Sequence, residues 1–252
     1  KTSSRSTREL CKMASPMVKM PTSKVTIAYA PVRGLGAAIK MCCEFAGADY
    51  DVFEYKGIEN KLEVDAWREG WWADKPAMYE KNSLINIPFV VDGETVVSQS
   101  NACLTYLGRK YKLLGANDAE LTKCEQCLCE LMDLRNKVVG ICYGPPDTYE
   151  QSAKSHFDEF IPVMFGKFEK WLTINKTKFL AADVPTVCDF HMFEMLDQHE
   201  AWCKPLGKAQ PLDSYPLLKE LHTALKTHPK LQGYFGGPQY KLTINACRAN
   251  FY

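Results

Sequence analysis

No stretch of this 252-residue sequence approaches the ~18–20 consecutive apolar residues that a bilayer-crossing helix needs, so it reads as a soluble chain. Charge of one sign is also missing: 31 Lys and Arg stand against 30 Asp and Glu. A net of +1 gives no global field for gathering nucleic acid or an anionic membrane. With 46% hydrophobic and 24% charged residues the composition is near the globular average, which argues against wholesale disorder and fibrous repeats. A zinc site is not expected. Cys124-x-x-Cys127-x-Cys129 has no second cysteine pair after it, Cys129 leaves the helix face shared by Cys124 and Cys127, and His156, His191, His199, His222 and His228 form no ligand pair with a third partner.

The length is enough to bury a core without metals or disulfides. Eleven cysteines are an odd and high number, but adjacent Cys42 and Cys43 and the crowded Cys124, Cys127 and Cys129 suit a disulfide framework poorly. Reduced thiols used as small core residues are expected, in the cytoplasm or an organelle. The near-neutral sum also hides an asymmetry. Residues 1–24 carry a net of +5, leaving −4 on the other 228. That Ser/Thr-rich basic head reads as a flexible extension, a remnant of an organellar transit segment, or a docking segment for a partner.

Ordered structure is expected from residue 25. Lys24 to Tyr29 alternates like a half-buried strand, Gly34 to Ala46 carries a helical stripe, and Tyr50 to Tyr55 alternates again. Residues 57–82 read as irregular. Two further strands flank Asp92-Gly93, a tight-turn signal, and Ser98-Gln99-Ser100-Asn101 offers capping groups to a helix reaching Tyr111. Strand signals end at Asp118, after which a long helix to about Tyr143, the break Gly144-Pro145-Pro146, and helices around Phe157–Trp171, Phe190–Glu200 and Pro216–Lys226 follow. Thr186 and Asp189 have the spacing of a capping box. The pattern is α+β: a mixed domain over 25–112, an all-helical domain over 118–232 and a tail over 233–252.

A β-α-β then β-β-α order with a proline opening the third strand is the thioredoxin-like pattern, in which that proline is cis. Tyr29-Ala30-Pro31-Val32-Arg33-Gly34 stands where a disulfide oxidoreductase needs Cys-x-x-Cys. Tyr29 with Arg33-Gly34-Leu35, Asn86-Ile87-Pro88, Ser98-Gln99-Ser100-Asn101-Ala102, Met132-Asp133 to Ile141-Cys142-Tyr143, and Thr186 with Asp189 occur in the order found in cytosolic glutathione transferases. Over roughly residues 25–235 the chain resembles that family, and its mu class most.

The resemblance implies a site for each part of glutathione, the co-substrate; no other cofactor is expected. Gln99 and Ser100, at a helix N-terminus, would bind the γ-glutamyl carboxylate. Ile87, before Pro88, would hold the cysteinyl backbone, with Asn86 beside it. Trp71 and Lys75 match the residues reaching the glycine end. Tyr29 would donate its hydroxyl to the sulfur and stabilise the thiolate that attacks an electrophile. Tyr143 would assist over the electrophile, or is a helix-end core aromatic. Asp133 would reach the glutathione amine of a neighbouring subunit in a homodimer, or pair with Arg135 and Lys137 on a solvated face. The family's Trp after the catalytic Tyr is Ala30 here, and Gly233 to Tyr252 departs from the family tail, with Tyr240 and Phe251 available to cover the pocket. The expected activity is conjugation of glutathione to hydrophobic electrophiles. Alternatives are a non-catalytic structural or interaction subunit on the same fold, or glutathione-dependent isomerase or peroxidase chemistry at the same site.

Overall fold

A computed structural model describes residues 24–56 and 66–252. The basic head expected over 1–24 lies outside the described residues, apart from Lys24. The elements that follow divide into two compact units, one formed by residues 24–31, 49–56 and 66–103, the other by 32–48 and 104–252. The sequence reading placed a single division after residue 112. Contacts within the fold assign α1 (Gly36–Ala46) to the helical unit, because it packs on α7 (Val187–Trp202).

The first unit is a four-stranded mixed sheet in the order β2-β1-β3-β4. Strand β1 (Val25–Tyr29) runs parallel to β2 (Tyr50–Glu54) and antiparallel to β3 (Phe89–Asp92), which forms a hairpin with β4 (Thr95–Ser98). All of β1 is buried, as a central strand with two covered faces requires. Asp92 pairs with Thr95, so the hairpin turn is Gly93-Glu94 rather than Asp92-Gly93. The φ of +59° falls on Gly93, the residue type that adopts it without a Cβ clash.

Residues 67–79, expected to be irregular, form helix α2 (Trp67–Tyr79). Its inner face is Trp71, Asp74 and Met78, and Trp71 and Met78 join a core with Ala28, Tyr55, Ile85, Phe89 and Val91. The buried acid and the internal Pro76 obscure the apolar period. Gly70 is needed there because a Cβ would run into the Lys56 carbonyl oxygen.

The second unit is helical: α1, the later turns of α3 (Ser100–Tyr111), α4 (Asp118–Cys142), α5 (Pro146–Ser155), a π-helical turn at His156–Phe160, α6 (Ile161–Asn175), α7, α8 (Pro216–Lys226) and the short α9 (Gln232–Gly236). Pro146, Pro162 and Pro216 each sit in a first turn, where the missing N–H has no intrahelical role. Helix α7 is the centre, buried nearly all round and packed against α1, α4 and α8. The capping box is formed: the Asp189 carboxylate accepts from the Thr186 N–H and hydroxyl, both at 2.8 Å, and from the Leu180 N–H at 2.8 Å. Burial pushes the Asp189 carboxyl up to about 6 despite those donors.

Cys124, Cys127 and Cys188 are buried, Cys188 against the Thr186 hydroxyl at 3.2 Å, and Cys129 is exposed. Among the described residues no group of His, Cys, Asp or Glu is arranged to hold a metal ion, and no helix is long and apolar enough to cross a membrane.

Candidate active site

In the sheet unit, five of the residues assigned to glutathione, Asn86, Ile87, Pro88, Gln99 and Ser100, fall on the run from Asn86 to Ser100. The Ile87–Pro88 bond is cis. Before it, Asn86 is held by the buried Ser98 at the end of β4, whose hydroxyl accepts from the Asn86 N–H at 2.9 Å and donates to the Asn86 carbonyl at 3.0 Å. The Ile87 N–H donates to Asn86 Oδ1 at 3.0 Å, so a peptide carbonyl docking on Ile87 takes the place of that side-chain oxygen. Ser98 was read from sequence only as a capping group. Its second role depends on cross-strand register, which sequence does not display.

Gln99 follows at φ +72°, a left-handed conformation that costs a non-glycine residue free energy. It is exposed, and its carbonyl accepts from the Cys103 N–H at 2.8 Å, closing the first turn of α3. Buried Ser100 opens that helix. An exposed amide at a helix N-terminus suits a carboxylate, since first-turn N–H groups lack intrahelical acceptors.

Tyr29 ends β1 at 9% exposure, and its carbonyl accepts from the Tyr55 N–H at 3.0 Å. Trp71 is 3% exposed, packed edge-on against Tyr55 with ring centroids 5.4 Å apart, so its body belongs to the core. Lys75 extends over the exposed Trp72, its ammonium 4.7 Å from that ring and 5.6 Å from Trp71.

In the helical unit, Asp133 on α4 is exposed and forms no ion pair among the described residues. The expected alternative partners are placed elsewhere: Arg135 is buried, and Lys137 lies 5.8 Å from the Phe160 ring. Tyr143 caps α4. Its hydroxyl accepts from the Ala246 N–H at 2.8 Å, which leaves its own hydrogen available to donate. The Arg248 guanidinium lies 5.2 Å from the Tyr143 ring. Burial raises the Tyr143 phenol above its ordinary value, while the Ala246 amide, Arg135 and Arg248 oppose that rise. Tyr240 and Phe251, expected over a pocket, anchor the tail: Tyr240 donates to Asp197 at 3.0 Å, and Phe251 stacks on Trp202 at 5.7 Å.

Residues 132–236 match the family description for the glutathione S-transferase C-terminal domain. Glutathione S-transferase Mu 6 of Mus musculus is 29% identical over 210 residues, covering 83% of this chain and 89% of that protein. Glutathione S-transferase Mu 1 of Oryctolagus cuniculus is 27% identical over 221 residues, covering 86% and 92%. Over most of its length the chain is similar to mu-class glutathione S-transferases.

Solved transferases share the fold. The Pi-class glutathione S-transferase of Onchocerca volvulus superposes with a TM-score of 0.72 at 24% identity, covering 90% of this chain and all of that one. The Blo t 8 transferase does so with a TM-score of 0.75 at 20% identity, covering 90% and 99%. In the second unit, Arg33 is a buried cation held by Glu194 at 2.8 Å and Asp197 at 2.6 Å, and the N–H groups of Arg33 and Gly34 donate to the Thr243 and Ile244 carbonyls at 2.8 and 3.0 Å. Sequence reading noted Arg33 only as part of a motif. Its acidic partners are more than 160 positions away, and pairing at that range leaves no local signal.

Proposed function

We propose that this transferase conjugates glutathione to hydrophobic electrophiles, with Tyr29 donating its hydroxyl to the glutathione sulfur. A thiol whose ordinary pKa is near ~8.5 is mostly protonated at neutral pH, and a donated hydrogen bond stabilises its thiolate. The sulfur then forms a bond to the electrophilic carbon, the leaving group departs with its electron pair, and the thiol proton passes to solvent. Gln99 and Ser100 take the γ-glutamyl carboxylate, Asn86, Ile87 and Pro88 the cysteinyl backbone, and Trp71 and Lys75 the glycine end. Tyr143 donates to the electrophile through the hydrogen its tail contact does not use.

The observation that carries this reading is the Asn86–Ser100 run, where a cis Ile87–Pro88 bond, the Ser98 bracket and the exposed amide of Gln99 share one short hairpin-to-helix segment. Exposed, unpaired Asp133 supports a homodimer in which it reaches the neighbouring subunit's glutathione amine. Glutathione is a co-substrate, and the cytoplasm is the compartment that fits its thiols. Retention on immobilised glutathione together with conjugation of 1-chloro-2,4-dinitrobenzene is the expected result; a folded protein that does neither overturns the assignment.

A further inference from the structure

Two buried histidines of the helical unit fix each other's protons. His199 Nδ1 lies 2.6 Å from the Met195 carbonyl and so carries its hydrogen, which makes His199 Nε2 an acceptor. His156 Nε2, 3.0 Å away, is then the donor, and His156 Nδ1 is left with a bare lone pair. That nitrogen is buried, on a residue 1% exposed, and no hydrogen bond reaches it. Burial lowers the His156 pKa to about 2, so the ring is neutral and Nδ1 stays an acceptor throughout the physiological range. A buried acceptor without a donor is costly, and a ligand that brings the donor recovers what the fold leaves unmet.

His156 also lines a cavity. The space, about 430 Å³, is walled by α4 and by the segment that runs from α5 through the π-helical turn into α6, and its apolar lining is Ile141, Phe160 and Val163. The Ile161 N–H reaches back five residues to the His156 carbonyl, which inserts one extra residue ahead of Pro162; turns of this kind recur at functional sites. Half-buried Phe160 stacks on the His156 ring at 5.2 Å and 21°, so the wall offers an aromatic face next to the bare nitrogen. Because Nε2 is taken up by His199, Nδ1 is the polar atom His156 has left for this cavity. Lys137 and Glu159, both exposed, add one charge of each sign, so the lining favours neither an anion nor a cation.

We propose that this cavity is a second binding site, for a neutral hydroxylated aromatic molecule whose O–H donates to His156 Nδ1 while its ring lies on Phe160. The volume is that of a small-molecule pocket and leaves room for two fused rings. A phenolic hydroxyl is the matching donor: it is uncharged at neutral pH, as the balanced lining requires, and it is attached to the flat apolar body that an aromatic wall accepts in an offset stack. Nδ1 is covered in the unliganded chain, so the hydroxyl enters as neighbouring side chains rotate. Lys137, Ser155 and Glu159 line the same cavity and are exposed, and exposed side chains change rotamer within nanoseconds. The site uses none of the residues assigned to glutathione or to its thiol.

The test titrates the full chain with 2-naphthol and with 2-methoxynaphthalene, which keeps the rings and replaces the donor by a methyl ether. Saturating S-hexylglutathione is present to keep either compound from the glutathione and electrophile positions. The naphthol should bind about tenfold more tightly than the ether, the scale of one hydrogen bond to a buried acceptor. The nitrogen-15 signal of His156 Nδ1 should be that of a bare lone pair in the unliganded chain and should move with the naphthol alone. Val163→Trp alters a residue 60% exposed, so the fold should keep its melting temperature while the indole fills the cavity and weakens naphthol binding by a similar factor. Equal affinities for the two compounds, an Nδ1 signal that the naphthol leaves in place, or undiminished binding by Val163→Trp would each overturn the proposal. So would competition between the naphthol and S-hexylglutathione, which would put the naphthol in the transferase site. None of these outcomes decides whether the chain conjugates glutathione, which the activity assay reads separately.

Discussion

The hydroxyl of Ser98 closes on both backbone groups of Asn86, accepting from its N–H at 2.9 Å and donating to its carbonyl at 3.0 Å. One buried oxygen thereby fixes the peptide that leads into Ile87–Pro88. Ser98→Ala leaves two backbone groups without that partner, a loss of about 1–3 kcal/mol. We expect a lower urea midpoint and a raised KM for glutathione, with KM for the electrophile little changed. A variant that loses stability but keeps its glutathione KM would show that the bracket serves only the fold.

Tyr29→Phe removes the hydrogen-bond donor and keeps the ring that ends β1. Turnover at neutral pH should fall by about 10²-fold or more, the usual scale for a positioned proton donor. Glutathione affinity should hardly move. Activity of the variant should recover as pH rises, because the thiol then ionises without help. An unchanged rate at neutral pH would assign thiol activation to another donor.

Arg33 neutralises Glu194 and Asp197 in a site where Glu194 is 1% exposed. Arg33→Met leaves those carboxylates without their cation and should cost about 3–5 kcal/mol. Adding Glu194→Leu should restore part of it, since the double variant no longer buries that acid. Chemical denaturation of both single variants, Arg33→Met and Glu194→Leu, and of the double variant checks the coupling, and simple additivity would show that the pair is not linked.

Burial lowers His156 to about 2, His191 to about 3 and His199 to about 4, from an ordinary 6.5. His199 Nδ1 lies 2.6 Å from the Met195 carbonyl, so it carries the proton donated there, and His156 Nε2 at 3.0 Å donates to His199 Nε2; both rings are neutral. Below pH 6.5 the unfolded chain binds protons the folded chain refuses, so this stability is full above 6.5 and is lost as pH falls toward the folded values. Each His contributes a slope of about 1.4 kcal/mol per pH unit there. Asp189 acts oppositely. Raised by burial from 3.8 to about 6, it contributes stability below 3.8 that is lost as pH rises through 6, offsetting roughly one His in that interval. The net expectation is a denaturation midpoint that drops from pH 7 to pH 5. His191→Leu should flatten that drop by about one His; an unchanged slope would mean that His191 is hydrated in the folded chain.

Much of the frame was legible where the determinant is local. Strands β1 and β2, helix α1, the capping pair Thr186 and Asp189, and the cis bond before Pro88 each have a short sequence pattern behind them. Helix α2 did not, because its inner face includes Asp74 and it contains Gly70 and Pro76. Local pattern also put the hairpin turn one residue early, since Asp-Gly is a strong turn signal but pairing of Asp92 with Thr95 sets the register.

By itself the sequence determined the order of elements and the kind of fold, because periodicity, caps and turns act over a few positions. Tertiary structure decided what those residues touch. It joined Ser98 to Asn86 across a hairpin, gave Arg33 two acids from α7, and withheld an acid from Arg135. Charge compensation and cross-strand bonding depend on proximity in space, and chain separation carries no record of it.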